Sequence, residues 1–146
     1  MKLTFTDIAV TDPALSTDVA ALIRTLRPDL SAEDFANFAA EAAEQGLVFT
    51  AAYDRDRCVG VAAHRVLATS RGRMLFIDDL VTEPTVRSAG VGSRLMAELR
   101  ERARHAGCVR IELDSGVANH GAHRFYHSQG MSIVASHFAA TVPARV

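Results

Sequence analysis

The stretch from Ile77 to Leu95 constrains the fold more than any other part of the sequence. A run typical of a β-strand passes through a turn containing Pro84 into a helix opened by two glycines, Gly90 and Gly92. Glycines at such a junction let the main chain approach a ligand closely, and the first N–H groups of a helix favour an anion. The stretch therefore predicts an anion-binding strand–loop–helix unit.

Two known glycine-rich sites do not fit this loop. A dinucleotide-binding fingerprint needs a small residue at position 95, which is Leu95, and a nucleotide P-loop needs a Lys-Ser/Thr pair that is absent. Arg87 lies where it could add a charge-assisted hydrogen bond to phosphate. A glycine-rich turn without a ligand is the remaining alternative.

The flanking sequence predicts an α/β chain with the element order β-α-α-β-β-β-α-β-α-β. Strands are predicted from Leu3 to Val10, Leu47 to Asp54, Cys58 to Ala68, Arg73 to Thr82 and Val109 to Leu113, with a last strand region from Met131 onward. Helices are predicted after Asp12-Pro13, after Ser31, from Gly90 and from Asn119 to Gln129. A chain of 146 residues is the size of one compact domain, so residues 1–146 are predicted to form a single domain.

Composition narrows the classes further. No apolar stretch approaches the roughly 20 residues that span a bilayer, and the start lacks a leader pattern, so we expect a cytoplasmic protein without a membrane partner. Cys58 and Cys108 have no companions at metal-ligand spacing. His120, His123 and His127 recur three and four apart without a carboxylate on their helix, which favours a solvated face over a metal site. No metal is therefore expected.

Charge is distributed unevenly along the chain. Residues 1–56 contain ten acidic against four basic residues, and residues 57–146 contain seven against twelve. This division indicates one surface suited to a cation and another suited to an anion such as phosphate. The alternative is that arginine is simply the preferred cation of this chain.

Two motifs carry a family resemblance. Arg87-x-x-Gly90-x-Gly92, after a strand ending in Leu80-Val81, resembles the pyrophosphate-binding motif of GNAT acetyltransferases. A second segment in the correct order resembles that family's asparagine–tyrosine helix: Asn119-x-x-Ala122-x-x-Phe125-Tyr126-x-x-x-Gly130-Met131. The resemblance covers about residues 47–146 and implies a mixed, mostly antiparallel central sheet flanked by helices. It also implies acetyl-coenzyme A as cosubstrate.

The resemblance assigns a role to each matching position. It implies that the backbones of Leu80 and Val81 pair with the pantetheine arm, with an N–H at a splay in the sheet facing the acetyl carbonyl. Asn119 would hydrogen-bond the pantetheine, and the Tyr126 hydroxyl would lie by the thioester sulfur. The pyrophosphate would be held by Arg87, Ser88, Ala89, Gly90, Val91, Gly92 and Ser93. The family often has a basic residue where Ala89 stands, and often Phe where Met131 stands.

Amine acetylation requires a neutral amine. Deprotonating a lysine-like ammonium at pH 7 costs roughly 4.6 kcal/mol, so a base is useful. Asp78 and Asp79 are the nominated water-mediated bases, with Glu83 a weaker candidate. Neighbouring residues of a strand point to opposite faces, so only one of the two aspartates is predicted to look into the site. These three carboxylates could instead attract a cationic substrate or cap a turn. Tyr126 could donate either a proton or only a hydrogen bond to the thiolate.

The predicted function is transfer of acetyl from acetyl-coenzyme A to a small-molecule or peptide amine by direct attack on the thioester. Asp29, Glu33 and Asp34, near the junction of the first two helices, would favour a cationic acceptor. A catalytically idle acyl-coenzyme A sensor or interaction module is the main alternative. Nucleic-acid binding is disfavoured because Arg100, Arg102 and Arg104 spread around their helix. Homodimerisation, common in the family, is left open.

Overall fold

The computed structural model describes residues 1–145, which divide into two compact units, Met1–Leu113 and a second that begins at Asp114. The first unit contains five strands and three helices, and the second contains one helix. The strands are β1 (Leu3–Ile8), β2 (Val48–Asp54), β3 (Arg57–Thr69), β4 (Gly72–Thr82) and β5 (Arg110–Leu113). The helices are α1 (Ala20–Leu26), preceded by a π-helical turn (Leu15–Val19), α2 (Ala32–Glu44), α3 (Val91–His105) and, in the second unit, α4 (His120–Ser128). No helix within residues 1–145 is long and apolar enough to cross a membrane.

The sheet has the order β1-β2-β3-β4-β5. Its first four strands pair antiparallel, with short polar turns joining β2 to β3 and β3 to β4 as predicted, and β5 adds parallel to β4 after the α3 crossover. The mixed, mostly antiparallel sheet flanked by helices confirms the predicted fold class.

Helices cover both faces of the sheet in the first unit. On one face, α1 and α2 enclose a core that includes Ile23, Phe35 and Val61. On the other face α3 packs closely over Gly60, where a Cβ atom would lie 2.8 Å from the Leu95 Cδ1 atom. Glycine at position 60 therefore sets how near α3 and the loop before it lie to β3.

The start of α2 follows its predicted cap. The Ser31 hydroxyl accepts a hydrogen bond from the Asp34 N–H at 3.0 Å, which satisfies one N–H of the first turn.

The predicted strand from Met131 onward is not found. Residues 131–145 form no strand, and the unit that begins at Asp114 contributes no other strand to pair with them. A strand needs a neighbouring backbone to satisfy its N–H and C=O groups, so β-propensity alone is insufficient. Side chains of this segment are accordingly exposed, including Ile133 and Phe138.

Candidate active site

Strand β4 is paired on both edges for only part of its length. Its parallel ladder with β5 joins Met74–Ile77 to Arg110–Leu113 and ends there, whereas its ladder with β3 continues to Thr82. Within residues 1–145, no other strand pairs with β4 between Asp78 and Thr82. We call this stretch, Asp78–Thr82, the open edge.

Hydrogen-bond alternation shows which backbone groups face the open edge. The Glu83 N–H donates to the Val59 carbonyl at 2.9 Å, so in an antiparallel ladder the N–H and C=O of Val81 also point to β3. Those of Leu80 and Thr82 point the other way. Leu80 thus has the orientation predicted for a ligand-pairing residue, and Val81 does not. Sequence reasoning missed Thr82, although residues two apart along a strand share an orientation.

A β-bulge begins the open edge. Ala63 pairs with Asp79 and the next β3 residue, His64, pairs with Ile77, so Asp78 is the extra residue on β4. The Arg65 guanidinium donates to both oxygens of the Asp78 carboxylate at 3.1 and 2.8 Å. Because the bulge interrupts strand alternation, the prediction that the two aspartates point to opposite faces is wrong.

Both aspartates lie on the face covered by α1 and α2. Asp79 accepts a hydrogen bond at 2.8 Å from Arg27, the residue that ends α1. Arg65 shares its β3 face with Ala63, which belongs to the core under α1 and α2. These four residues, Arg27, Arg65, Asp78 and Asp79, form what we call the β4 charge cluster.

The two ion pairs of the β4 charge cluster are not equivalent. Arg65 and Asp78 are both largely shielded, with side chains 18% and 23% exposed. The Asp79 side chain is 11% exposed, but that of Arg27 is 59% exposed. Burial raises the pKa of Asp79 despite the opposing effect of Arg27, and the neighbouring Asp78 charge adds to the rise. Asp79 is thus a poorly solvated carboxylate whose single arginine partner is mostly exposed.

The loop after the open edge leads into α3 through two left-handed residues, Ser88 at φ 74° and Gly90 at φ 84°. Gly90 is the N-cap of α3, and the helix has no side-chain cap and no acidic residue in its first turn. The N–H groups of Val91 and Gly92 therefore have no acceptor within the helix. Arg87 is exposed beside them. This part of the chain has the donors and the dipole that suit an anion.

Glu83 caps a turn and does not belong to the β4 charge cluster. Its carboxylate accepts from the Thr85 N–H at 3.1 Å and thereby caps the short 3-10 turn Pro84–Val86, and it pairs with Arg57 at 2.5 Å. A shallow cavity of about 650 Å³ adjoins it, but that cavity lies at the β2–β3 turn. The turn-capping interpretation therefore holds for Glu83.

The second unit contains the two remaining predicted residues. Asn119 is the N-cap of α4, and its side-chain oxygen accepts from the Ala122 N–H at 3.2 Å, which leaves its amide NH2 as a donor. Tyr126 is half-buried, and burial raises the pKa of its phenol, so the hydroxyl carries its proton at neutral pH.

The predicted histidine face binds backbone atoms. His123 Nε2 lies 2.8 Å from the Gly116 carbonyl, and His127 Nδ1 lies 3.2 Å from the Met131 carbonyl. Throughout residues 1–145, no three His, Cys, Asp or Glu side chains are placed to hold a metal ion.

A second polar cluster lies on the α3 face of the sheet, away from the β4 charge cluster. The Thr50 hydroxyl lies 2.8 Å from His64 Nε2 and donates to Asp7 at 2.8 Å, and Asp7 pairs with Arg102 of α3. Burial, aided by the Arg102 charge, lowers the pKa of His64 to about 4. We call Asp7, Thr50, His64 and Arg102 the buried polar cluster after its two buried members, Thr50 and His64; the Asp7 side chain at its edge is 50% exposed.

Comparison with known proteins identifies the family. The model of the acetyltransferase (GNAT) family matches residues 16–131, so the chain belongs to that family and the predicted resemblance is confirmed. The match runs through both compact units.

Two curated relatives match parts of the chain. An aminoalkylphosphonate N-acetyltransferase of Salmonella typhimurium is 40% identical over 65 residues, which cover 44% of this chain and 41% of that protein. A glucosamine 6-phosphate N-acetyltransferase of Trypanosoma brucei brucei is 34% identical over 96 residues, which cover 62% of this chain and 65% of that protein. Each match thus spans less than two thirds of the relative's length.

A solved structure shares the fold over nearly the whole chain. The aminoglycoside N-acetyltransferase AAC(6')-Iy, in complex with CoA, superposes with a TM-score of 0.83 at 14% identity, and the match covers 98% of this chain and 96% of that one.

Proposed function

We propose that the protein is an N-acetyltransferase that transfers acetyl from acetyl-coenzyme A to a small primary amine. The observation that supports this proposal is that one segment of the chain contains two sets of backbone groups suited to a ligand, one after the other. The open edge of β4 supplies outward backbone groups at Leu80 and Thr82, and within a few residues the chain enters the acid-free first turn of α3. Coenzyme A has an extended pantetheine arm that ends in a pyrophosphate. The arm would suit the open edge of the strand, and the pyrophosphate would suit the N-terminus of the helix.

Acetyl-coenzyme A would bind mainly through the main chain. The Leu80 N–H would donate to the acetyl carbonyl and so stabilise the oxyanion that forms when the amine attacks. Thr82 would pair with the pantetheine arm, joined by the Asn119 amide. The pyrophosphate would lie on the N–H groups that open α3, with Arg87 as an additional cation.

The chemistry requires one bond to form, one to break and two protons to leave the nitrogen. Asp79 would accept the proton from the acceptor ammonium, directly or through water. The neutral nitrogen would bond to the acetyl carbon, and the carbon–sulfur bond would break to release the thiolate. The second proton of the nitrogen would then pass to the sulfur and give the free thiol of coenzyme A. Tyr126, protonated at neutral pH, would hydrogen-bond to that sulfur.

Asp79 is favoured over Asp78 as the base. A raised pKa increases the proton affinity of Asp79, and its partner Arg27 is mostly exposed. Asp78 is held by two hydrogen bonds from a shielded guanidinium. Both compact units would belong to one catalytic domain, since the family match crosses the division between them.

Relatives support a small acceptor. Two of them are named for acetylating small amines, an aminoalkylphosphonate and glucosamine 6-phosphate. Because these matches cover limited parts of each protein, the acceptor class of this chain needs evidence of its own.

Calorimetric titration with acetyl-coenzyme A tests the coenzyme site. Wild type should bind with a Kd on the order of micromolar, in the usual range for enzyme substrates. Gly92→Glu should abolish detectable binding, because its carboxylate would repel the pyrophosphate while a helix N-terminus tolerates a negative charge.

Ala97→Glu is the matched control, since it adds the same charge at an exposed position of the same helix. Equal weakening by both variants would mean that only net charge matters. Binding by wild type without turnover of any amine would favour the idle module, and absence of binding by folded wild type would refute the proposal.

A further inference from the structure

We infer that the acceptor is an amine that also carries an oxyanion, and that Arg27 binds this oxyanion while Asp79 receives the ammonium. The inference rests on the proposed function and deepens it, because it names the substrate class. It follows from the unequal ion pairs of the β4 charge cluster.

Arg27 and Asp79 form a pair that can open. One guanidinium nitrogen of Arg27 contacts one carboxylate oxygen of Asp79 at 2.8 Å. Arg27 follows the last turn of α1, and its side chain is 59% exposed, so its other N–H groups remain accessible to a ligand. Asp79, adjacent to Leu80 on the open edge, is only 11% exposed. An acceptor must take the place of Arg27 to reach this carboxylate.

Charge balance selects the acceptor. An ammonium that displaces Arg27 satisfies Asp79 but leaves a guanidinium without its anion. An acceptor with an oxyanion a few bonds from its amine satisfies both, so one ion pair is exchanged for two. Charge-assisted hydrogen bonds are the stronger kind, and a guanidinium holds phosphate, phosphonate or carboxylate by two N–H groups at once.

The neighbouring pair keeps the site in place during this exchange. Arg65 grips both oxygens of Asp78, and both side chains are shielded. The Arg65–Asp78 pair has no net charge, and each of its two side chains is bound to the other. The acceptor therefore exchanges with the Arg27–Asp79 pair and not with the Arg65–Asp78 pair.

Matched acceptors test the inference in steady-state assays with saturating acetyl-coenzyme A. The pairs are O-phosphoethanolamine with ethanolamine, and β-alanine with 3-aminopropan-1-ol, which differ in the oxyanion. Wild type should prefer the anionic member of at least one pair by about tenfold or more in kcat/KM, as expected for one charged hydrogen-bond partner. Arg27→Gln should remove the preference, mainly through a higher KM for the anionic acceptors.

Arg71→Gln is the control, because Arg71 has a similarly exposed side chain in the β3–β4 turn, at 66%. It should keep the preference. Turnover of the neutral members without preference, or a preference that survives Arg27→Gln, overturns this inference and leaves the proposed function standing. No turnover in either series, by a protein that binds acetyl-coenzyme A, overturns the proposed function and the inference with it.

Discussion

The two faces of the sheet carry polar clusters of opposite character. On the α3 face, the buried polar cluster joins a fully buried hydroxyl, a buried imidazole, a carboxylate and a guanidinium across three strands and a helix. On the α1 face, the β4 charge cluster consists of two ion pairs at a bulge, one of which ends in an exposed arginine. In the first cluster the central hydroxyl and imidazole are buried, whereas the second contains a shielded carboxylate, Asp79, whose single arginine partner is mostly exposed.

The difference follows from what each cluster would lose if opened. A buried polar group that loses its partner incurs its full desolvation cost, so the contact between Thr50 and His64 resists rearrangement. Arg27 can exchange its partner for water or a ligand at little cost because it is mostly exposed. Polar groups are thus expected to contribute to stability on one face and, in the proposed function, to acceptor binding on the other.

The largest effect should come from Asp79→Asn. Loss of the proton acceptor should lower kcat/KM by about 10²- to 10⁴-fold, the usual contribution of a general base. Unfolding free energy should change little, because the variant releases only an exposed arginine. Steady-state kinetics and denaturant unfolding measure the two effects separately.

Asp78→Asn sharpens this contrast. It leaves the shielded Arg65 without its anion, so it should destabilise the fold by about 1–3 kcal/mol while lowering kcat/KM less than Asp79→Asn does. If Asp78→Asn were the more damaging to catalysis, the assignment of the base to Asp79 would be wrong.

The next effect is a loss of stability in acid from the buried polar cluster. His64 has a folded pKa of about 4 against an unfolded value of 6.5, so the unfolded chain binds more protons between these values. Stability is therefore full above pH 6.5 and falls as pH drops towards 4, by roughly 3 kcal/mol at 1.36 kcal/mol per pKa unit. Denaturant midpoints at several pH values measure the fall.

His64→Gln should flatten this slope, since glutamine can replace the hydrogen bond but does not titrate. The carboxylates of the two clusters affect the unfolding free energy over different pH ranges. The Arg102 and Thr50 contacts hold the pKa of Asp7 below 3.8 although burial opposes them, so its contribution is lost only in stronger acid. The raised pKa of Asp79 has the opposite effect, because it increases the unfolding free energy as the pH falls. An unchanged slope in His64→Gln would show that carboxylates dominate the acid response.

The smallest effect should come from Thr50→Val, which preserves shape and removes the central hydroxyl. His64 and Asp7 then lose a common partner, and unfolding free energy should fall by about 1–3 kcal/mol with kcat unaffected. Thr6→Val, an exposed threonine on β1, is the control and should be near neutral. Loss of activity in Thr50→Val at full stability would contradict the separation of the two faces.

Much of the fold could be predicted because its signals are local. Strands β2 to β4, the Ser31 cap and the glycines that open α3 depend on residues near one another in the chain, and each has its predicted place in the structure. The bulge at Asp78 could not be predicted, because it depends on how β3 and β4 pair, and without it the two aspartates would occupy opposite faces. Arg27 escaped prediction as a partner of Asp79 for a similar reason, since they are 52 positions apart.

The strand predicted from Met131 onward was wrong because a suitable local sequence is not sufficient to form a strand. Its residues suit a strand, but strand formation depends on a partner edge that local sequence does not specify.

The open edge also bears on how such a protein changes over evolutionary time. Its outward groups at Leu80 and Thr82 belong to the main chain, so among the genetically encoded replacements only proline deletes the N–H at either position. A ligand held in this way is insulated from most point mutations, whereas a contact such as that of Arg27 depends on a single codon. Sequence drift should therefore alter the amine that is used far sooner than the donor of the acetyl group.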